Sequence, residues 1–304
     1  APPHEFAVNI PKTFAELSAE TYRHFTWPGF LGCMYQRNGL KVALIEVASV
    51  AVILLLTFFL HEPSKVFSTH LGEGAFYAVI PYTPMVLSAS AIGLYVLAAL
   101  SIGVVRYWRQ TGGELSELVD RRALVRATWD ALRLRYLEGG GDGCNYPDER
   151  FSHVRRWFHH LVFYGFMLCF ASTTIAAFYD HFLEWRAPYP FWSWPVVLGT
   201  VGGVALLIGL GGMIWLKWQS DPEPANQRLL GMSLGYLVLL FFTTFTGLLL
   251  LTFRETPAMG ALLAVHLGTV LALFLTLPYS KFVHAVYRYV SLVRYAMEQS
   301  RQSS

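Results

Sequence analysis

The chain alternates long apolar runs with shorter polar segments. Six runs are long enough to cross about 30 Å of hydrocarbon, for which a helix needs roughly 20 residues. Hydrocarbon offers no partner to unpaired backbone groups, and the runs lack the alternating pattern of barrel strands, so we expect helices. The pattern predicts an all-α, polytopic membrane protein with six transmembrane helices. The predicted spans are 42–60, 84–105, 157–178, 195–216, 229–253 and 258–277.

Two polar segments carry patterns of their own. Near the start, an apolar stripe is predicted to lie on the membrane or on a partner; it comprises Phe14, Leu17, Tyr22 and Phe25. Between the second and third spans, 114–137 is predicted to be an amphipathic soluble helix. The glycine run at 139–143 follows no strand and opens no clear helix, so it favours a flexible linker over a phosphate cradle.

Composition and charge support the membrane assignment and give it a direction. Hydrophobic residues make up 54% of the chain and charged residues only 14%, against about 25% in soluble domains. With the N-terminus in the cytoplasm, every one of the 23 Lys and Arg residues except Lys65, Arg186 and Arg254 lies on the inner side. We therefore expect a multi-pass protein of a bacterial inner membrane, with both termini cytoplasmic and no nucleic-acid partner.

Cysteine usage and the first residues limit what the chain can do alone. Cys33, Cys144 and Cys169 lie far apart and form no CxxC motif, so neither an iron–sulfur cluster nor a disulfide framework is expected within this chain. The start has no basic stretch followed by an apolar stretch, as a secretory signal would. We expect the chain to be a fragment of a longer protein.

Two histidines mark the last apolar run. His266 and His284 are eighteen residues apart, which is about five helical turns, so both share one face if the helix is continuous. They would lie about 27 Å apart along the axis, one near each side of the membrane. Pro278 lies between them and can kink the helix.

His284 has a candidate companion at the same predicted depth. The third span opens with His159 and His160, and two imidazoles from facing helices can fill both axial positions of a b-type haem. We expect His159 and His284 as ligands, with His160 as the alternate, and Arg155 and Arg156 near the propionates together with Lys281 and Arg288. The alternative is that His159 and His160 are ordinary interfacial residues.

The remaining polar residues of the spans leave alternatives open. His266 is a ligand of a second haem, a quinone contact or a buried hydrogen-bonding residue, and His61, His70 and His181 are its possible neighbours. Glu46 is the only acidic residue inside a predicted span. It either delivers protons to a quinone or forms an interfacial pair with Lys41, and the pair is the simpler expectation.

Part of the chain resembles a known haem protein. The stretch from His266 through Leu277-Pro278-Tyr279-Ser280-Lys281-Phe282-Val283-His284 resembles the last haem helix of the respiratory nitrate reductase gamma subunit. Phe158-His159 resembles the start of that family's other haem helix. In that pattern the second ligand of the third span falls at Cys169, which leaves a second haem without one of its histidines.

The whole chain is similar to the membrane portion of the tricarballylate-utilisation B (CitB-type) family. The matching stretches are Ala1-Pro2-Pro3-His4-Glu5-Phe6, Gly143-Cys144-Asn145-Tyr146-Pro147-Asp148-Glu149-Arg150 and Arg156-Trp157-Phe158-His159-His160. The resemblance implies a ferredoxin-like domain with iron–sulfur clusters before residue 1. It also implies an electron path from a partner flavoprotein dehydrogenase through those clusters and haem b to membrane quinone.

These expectations divide the chain into five parts. They are an N-terminal cytoplasmic segment at 1–38, a transmembrane hairpin at 39–105, a cytoplasmic loop at 106–156, a four-helix haem-binding bundle at 157–297 and a tail at 298–304. Two other functions compete with electron transfer. One is a cofactor-free proton or ion transporter, and the other is a simple membrane anchor for a soluble enzyme.

Overall fold

The computed structural model describes residues 9–137, 144–145, 150–220 and 226–302. The chain is 81% helical, which confirms the all-α prediction. Two short strands, β1 (Cys144–Asn145) and β2 (Phe151–Ser152), pair antiparallel. The α-helices are α1 (Ile10–Phe25), α2 (Asn38–Leu60), α3 (Pro63–Val66), α4 (Tyr82–Gln110), α5 (Arg121–Leu132), α6 (Val154–Phe182), α7 (Trp194–Gln219), α8 (Gln227–Phe253), α9 (Met259–Thr276) and α10 (Val283–Gln302).

Six helices of the described residues are long and apolar enough to cross a membrane, as the apolar runs predicted. The protein is therefore a multi-pass membrane protein. The spanning segments are Asn38–Leu60, Tyr82–Gln110, Val154–Phe182, Trp194–Gln219, Leu229–Phe253 and Met259–Tyr279.

The bundle has two chemically different ends. One end carries α1, α5 and α10 and most of the Lys and Arg residues, and we call it the basic end. The other carries α3 and the loop between α6 and α7, and we call it the opposite end.

The core lies between α2, α7, α8 and α9. Val42 of α2 packs into one buried cluster with Leu210 of α7, Leu239 of α8 and Ala272 of α9. The first span thus belongs to the same packed unit as the later ones, although the sequence divided 39–105 from 157–297. α2 is apolar all round, so one side of it packs against the later spans while its other side chains stay exposed, as a helix that faces lipid allows.

Two glycines set the distance between α6 and α7. A Cβ atom on Gly202 would lie 2.8 Å from the carbonyl oxygen of Gly165, and a Cβ atom on Gly165 would lie 2.8 Å from that of Gly202. Small residues allow two membrane helices to approach closely enough for backbone contact. This contact fixes α6, which carries His159.

The predicted helix at 114–137 was wrong in its extent. Residues Leu115–Val119 form a 3-10 turn, α5 begins only at Arg121, and Arg135–Leu137 form another 3-10 turn. Asp120 starts the new helix because its side-chain oxygen accepts a hydrogen bond from the Ala123 N–H at 2.8 Å. The glycine run at 139–143 lies outside the described residues.

The apolar stripe of the N-terminal segment divides between two environments. Phe14 and Leu17 are exposed, whereas Phe25 is buried and Tyr22 is half-buried. Tyr22 stacks on Tyr287 of α10 at 5.8 Å between ring centroids. The second half of α1 is therefore fixed to the last helix.

The final helices differ from the expected single span. α9 ends at Thr276, Leu277–Tyr279 form a 3-10 turn, and α10 begins at Val283. His284 consequently lies beyond the sixth span, on a helix separate from that of His266. The expectation that both imidazoles share one helix face was wrong, because the chain breaks around Pro278 and does not merely kink. α10 also extends to Gln302, into the predicted tail.

Candidate functional site

The break between α9 and α10 is held by the N-terminal part of the chain. Asn38 donates from its side-chain nitrogen to the carbonyl of Tyr279 at 2.7 Å, and the Tyr35 hydroxyl donates to the carbonyl of Pro278 at 3.2 Å. The Tyr279 hydroxyl in turn donates to the carbonyl of Trp27 at 3.1 Å. A helix that ends inside a protein needs such partners for its last carbonyls, so these bonds stabilise the break that starts α10.

This arrangement brings His159 and His284 together. His159 lies in the second turn of α6 and His284 in the first turn of α10, and their ring centroids are 6.4 Å apart with an interplanar angle of 82°. The expected companion of His284 is thus its actual neighbour.

Hydrogen bonding leaves ring nitrogens of this pair available. The Nδ1 of His284 donates to the carbonyl of Lys281 at 2.6 Å, so its lone pair is on Nε2. In the described part of the chain, Nε2 of His284 has no hydrogen bond, and the buried Nδ1 of His159 has no partner. Buried polar atoms without partners are uncommon in native proteins, so this nitrogen is free to accept a ligand or a water molecule.

The site keeps His284 neutral. Burial is the main cause that lowers the pKa of His284 to about 4, and the charges of Lys281 and Arg288 add to it, while the bond to the Lys281 carbonyl acts in the other direction. A neutral imidazole is the form that binds a metal ion.

Four cations surround the histidine pair. Burial lowers the pKa of Lys281, and the neighbouring charges of Lys217 and Arg155 lower it further. The charge of Arg288, one turn after His284 on α10, also lowers the pKa of His284. Within the described residues, Lys217, Lys281 and Arg288 form no ion pair, so this end of the site favours an anionic group.

The spacing of the two rings is close to that of two imidazoles on one metal ion. Two imidazoles on one metal ion have ring centres about 6 Å apart when each metal–nitrogen bond is about 2 Å, as in other imidazole sites. The observed 6.4 Å lies close to that spacing. No cluster of three or more His, Cys, Asp or Glu residues suited to a bare metal ion occurs among the described residues.

Two residues expected at this site point elsewhere. The His160 ring stacks on Tyr164 at 5.9 Å between centroids and does not contact His284. Arg156 donates to the carbonyl of Arg133 at 3.0 Å, toward α5. Lys217 at the end of α7, which the sequence analysis did not single out, is close enough to Lys281 for its charge to lower the pKa of that residue.

His266 has a different environment. Its Nδ1 lies 3.1 Å from the hydroxyl oxygen of Thr246 on α8, and its ring lies against Gly247, where a Cβ atom would be 2.9 Å from the ring. Thr269, one turn further along α9, lies 3.3 Å from the same hydroxyl. The contact with Thr246 fits one of the three alternatives for His266, a hydrogen-bonding residue, and the haem and quinone alternatives stay predictions.

The expected neighbours of His266 make other contacts. His70 bonds the carbonyl of Lys65 at 2.8 Å and His181 that of Ala177 at 3.0 Å. The described ring contacts of these two histidines and of His61 do not include His266. Cys169 packs against the apolar core, with its sulfur 4.0 Å from the carbonyl of Gly199.

Glu46 and Lys41 do not form the expected pair. Both residues are described, and no ion pair joins them. The Lys41 ammonium donates instead to the carbonyl of Cys33. Lys41 therefore stabilises the turn before α2, and Glu46 is half-exposed on the side of that helix.

A cavity at the opposite end was not expected from the sequence. It has a volume of about 970 Å³ and is lined by aromatic residues including Trp185, Trp192 and Trp194. Arg254 lines it too; it is only 7% exposed, donates to the carbonyl of Tyr189 at 2.6 Å and covers the ring of Phe191 at 3.8 Å. A single arginine at a span end carries no periodic signal that could have revealed this.

Comparison with known proteins gives the family. The family model of citrate utilization protein B (CitB) matches residues 36–304. Citrate utilization protein B of Escherichia coli is 43% identical over 308 residues, which cover 99% of this chain and 78% of that protein. No solved structure matches the chain. The chain therefore belongs to the citrate utilization protein B family.

Proposed function

We propose that the chain is a cytochrome b-type electron-transfer subunit of a citrate- or tricarballylate-utilisation system. In this proposal it passes electrons from a partner flavoprotein dehydrogenase, by way of iron–sulfur clusters outside this chain, to membrane quinone. The observation that carries the proposal is the His159–His284 pair, 6.4 Å apart and contributed by two different helices. Family membership and the name of the Escherichia coli relative support the assignment to a citrate- or tricarballylate-utilisation system.

The residues at the basic end have separate tasks in this proposal. His159 and His284 would hold the haem iron, and the Lys281 carbonyl fixes the ring orientation of His284. Arg155, Lys217, Lys281 and Arg288 would neutralise the propionates. When bound, a haem with both axial positions filled exchanges single electrons and has no open position for oxygen.

Electron entry at the basic end agrees with how α1 is attached. Tyr22 of α1 stacks on Tyr287, three residues after His284 on α10. The resemblance implies a cluster domain before residue 1, so α1 would join that domain to the haem ligand helix. With the basic end in the cytoplasm, as the distribution of Lys and Arg favours, electrons would enter from the cytoplasm.

A reduced-minus-oxidised visible spectrum of the purified full chain tests the proposal. We expect a b-type haem band in the wild type, its loss in both His159→Ala and His284→Ala, and its retention in His160→Ala as the matched control. A short-chain quinone should reoxidise the reduced wild type. Both single variants keep their helices otherwise intact, which far-ultraviolet circular dichroism checks.

Three results would contradict the proposal. A haem-free wild type would leave the cofactor-free transporter and the simple membrane anchor as the functions to test, first by ion flux in liposomes. A band that survives both alanine substitutions would show that other residues hold the haem. A reduced protein that quinone does not reoxidise would remove quinone as the acceptor.

A further inference from the structure

The outer face of α5 carries positive charge around an apolar centre. Val125 and Trp129 are 64% and 59% exposed, one turn apart, and they line a shallow groove of about 360 Å³. Four exposed arginines flank them, and none forms an ion pair with a described carboxylate. The arginines are Arg121, Arg122, Arg126 and Arg133.

The inner face of α5 already has its partner. Ala123 and Ala127 are buried against Val293 of α10, and Asp130, also on the buried side, pairs with Arg135 at 3.2 Å. Acidic groups that could neutralise the arginines are thus absent from the exposed face of α5 itself. Negative charge next to this face would therefore come from outside the described residues.

The position of α5 relative to the membrane indicates what supplies that charge. The carbonyl of Leu132, at the end of α5, accepts a hydrogen bond from the Tyr164 hydroxyl at 2.7 Å. Tyr164 lies ten residues into α6, about 15 Å along the axis of a spanning helix. The Arg133 carbonyl accepts from Arg156, near the start of α6. The end of α5 that carries Trp129 therefore lies against the first turns of a span, at the depth of lipid headgroups.

We propose that this face of α5, which we call the arginine face, binds the headgroups of anionic phospholipids, with Val125 and Trp129 inserted among the first acyl carbons. Helices with arginine on a polar rim and tryptophan at the centre lie in the membrane interface in this way. Each basic residue near an anionic surface strengthens binding by roughly fivefold. The proposal does not depend on haem.

Native mass spectrometry of the full chain released from nanodiscs tests the lipid preference. The nanodiscs contain phosphatidylcholine and phosphatidylglycerol, and the readout is the number of each lipid retained. We expect the wild type to retain phosphatidylglycerol preferentially. Arg122→Gln with Arg126→Gln should lower the affinity for phosphatidylglycerol by roughly tenfold or more.

The control removes the same charge elsewhere at the basic end. Arg23→Gln with Arg109→Gln changes two exposed arginines outside α5 and should leave the retained phosphatidylglycerol unchanged. Equal losses in the two double variants would overturn the proposal. So would unchanged retention in the α5 variant, which is the result expected if an acidic protein covers the arginine face.

A second measurement does not depend on how the arginine variants fold. Phosphatidylglycerol with brominated acyl chains quenches tryptophan fluorescence at close range, and we expect the quenched fraction to fall in Trp129→Phe. Brominated phosphatidylcholine should quench Trp129 less. If Trp129→Phe leaves quenching by brominated phosphatidylglycerol unchanged, Trp129 does not contact that lipid and the proposal is wrong.

Discussion

The two ends of the bundle hold their histidines in opposite ways. At the basic end, His159 and His284 come from helices that do not adjoin in sequence, and their rings lie 6.4 Å apart at an angle of 82°, with the buried Nδ1 of His159 unpartnered. His266 of α9 lies 3.1 Å from the Thr246 hydroxyl and its ring lies against Gly247, and no second imidazole is among its described contacts. A histidine in a span is therefore a ligand candidate only when the fold brings it a partner.

Backbone packing explains part of this difference. The glycine contact between α6 and α7 fixes the helix of His159, whereas the contact between α8 and α9 places a glycine directly beneath His266. A glycine beneath an imidazole supports the ring but offers no second ligand. The same small residue thus has two uses in one bundle.

The largest expected effect is on the contact that positions His159. Gly202→Ala places a Cβ atom 2.8 Å from the backbone oxygen of Gly165, so we expect a loss of about 1–3 kcal/mol in stability and weaker haem retention. Thermal unfolding in detergent and haem content per chain measure these. Gly211→Ala, where a Cβ atom meets nothing within 4 Å, is the control. A Gly202→Ala protein as stable as the Gly211→Ala protein would show that the contact is not constrained.

The next effect concerns the hydrogen bond from Asn38 that stabilises the break between α9 and α10. Asn38→Ala leaves the buried carbonyl of Tyr279 without its donor, which costs about 1–3 kcal/mol. Because the break positions His284, we also expect a changed electron paramagnetic resonance signal and midpoint potential of the haem. Thr57→Ala on the same helix, whose hydroxyl bonds only the Ile53 carbonyl, should change neither. An identical haem signal in the Asn38 and Thr57 variants would show that the Asn38 hydrogen bond does not position His284.

A smaller effect is expected at His266. His266→Gln should cost roughly 1 kcal/mol through the weakened bond to Thr246, and it should leave the haem content per chain unchanged. Haem quantitation against protein concentration measures this, with Thr246→Val as the companion variant. A fall from two haems to one in His266→Gln alone would make the two ends equivalent and overturn the comparison.

The smallest effect concerns the ion pair between Glu117 and Arg301, which joins the 3-10 turn before α5 to the end of α10. A hydrogen bond from the Glu114 backbone, and then the bond from Arg301, lower the pKa of the Glu117 carboxyl. Its contribution to stability is therefore present above the ordinary pKa of 4.5 and is lost as the pH falls through the lowered value in the folded protein. Glu117→Gln should slightly reduce the difference in thermal midpoint between neutral and acidic pH. An unchanged pH dependence of the thermal midpoint would show that the Glu117–Arg301 pair does not stabilise α10.

The sequence by itself determined the six spans and placed His284 at the same depth as His159 and His160. Spans depend on length and apolar content, which the bilayer tests one helix at a time. The shared depth of His159 and His284 was predictable because each lies next to the end of a span, and depth follows from sequence position. The boundaries of α5 were less predictable, since Asp120 starts a helix inside a segment whose apolar spacing continues on both sides.

Only the tertiary structure decided how the pair is held. Asn38 and Tyr35 reach the carbonyls around Pro278 across more than 240 positions, and such a contact has no periodicity along the chain. The choice of His159 over its neighbour His160 also came from packing, because α7 and α10 cover one side of α6 and α5 the other. Sequence position gave each histidine its depth, and the close approach of helices distant in sequence gave one of them a partner.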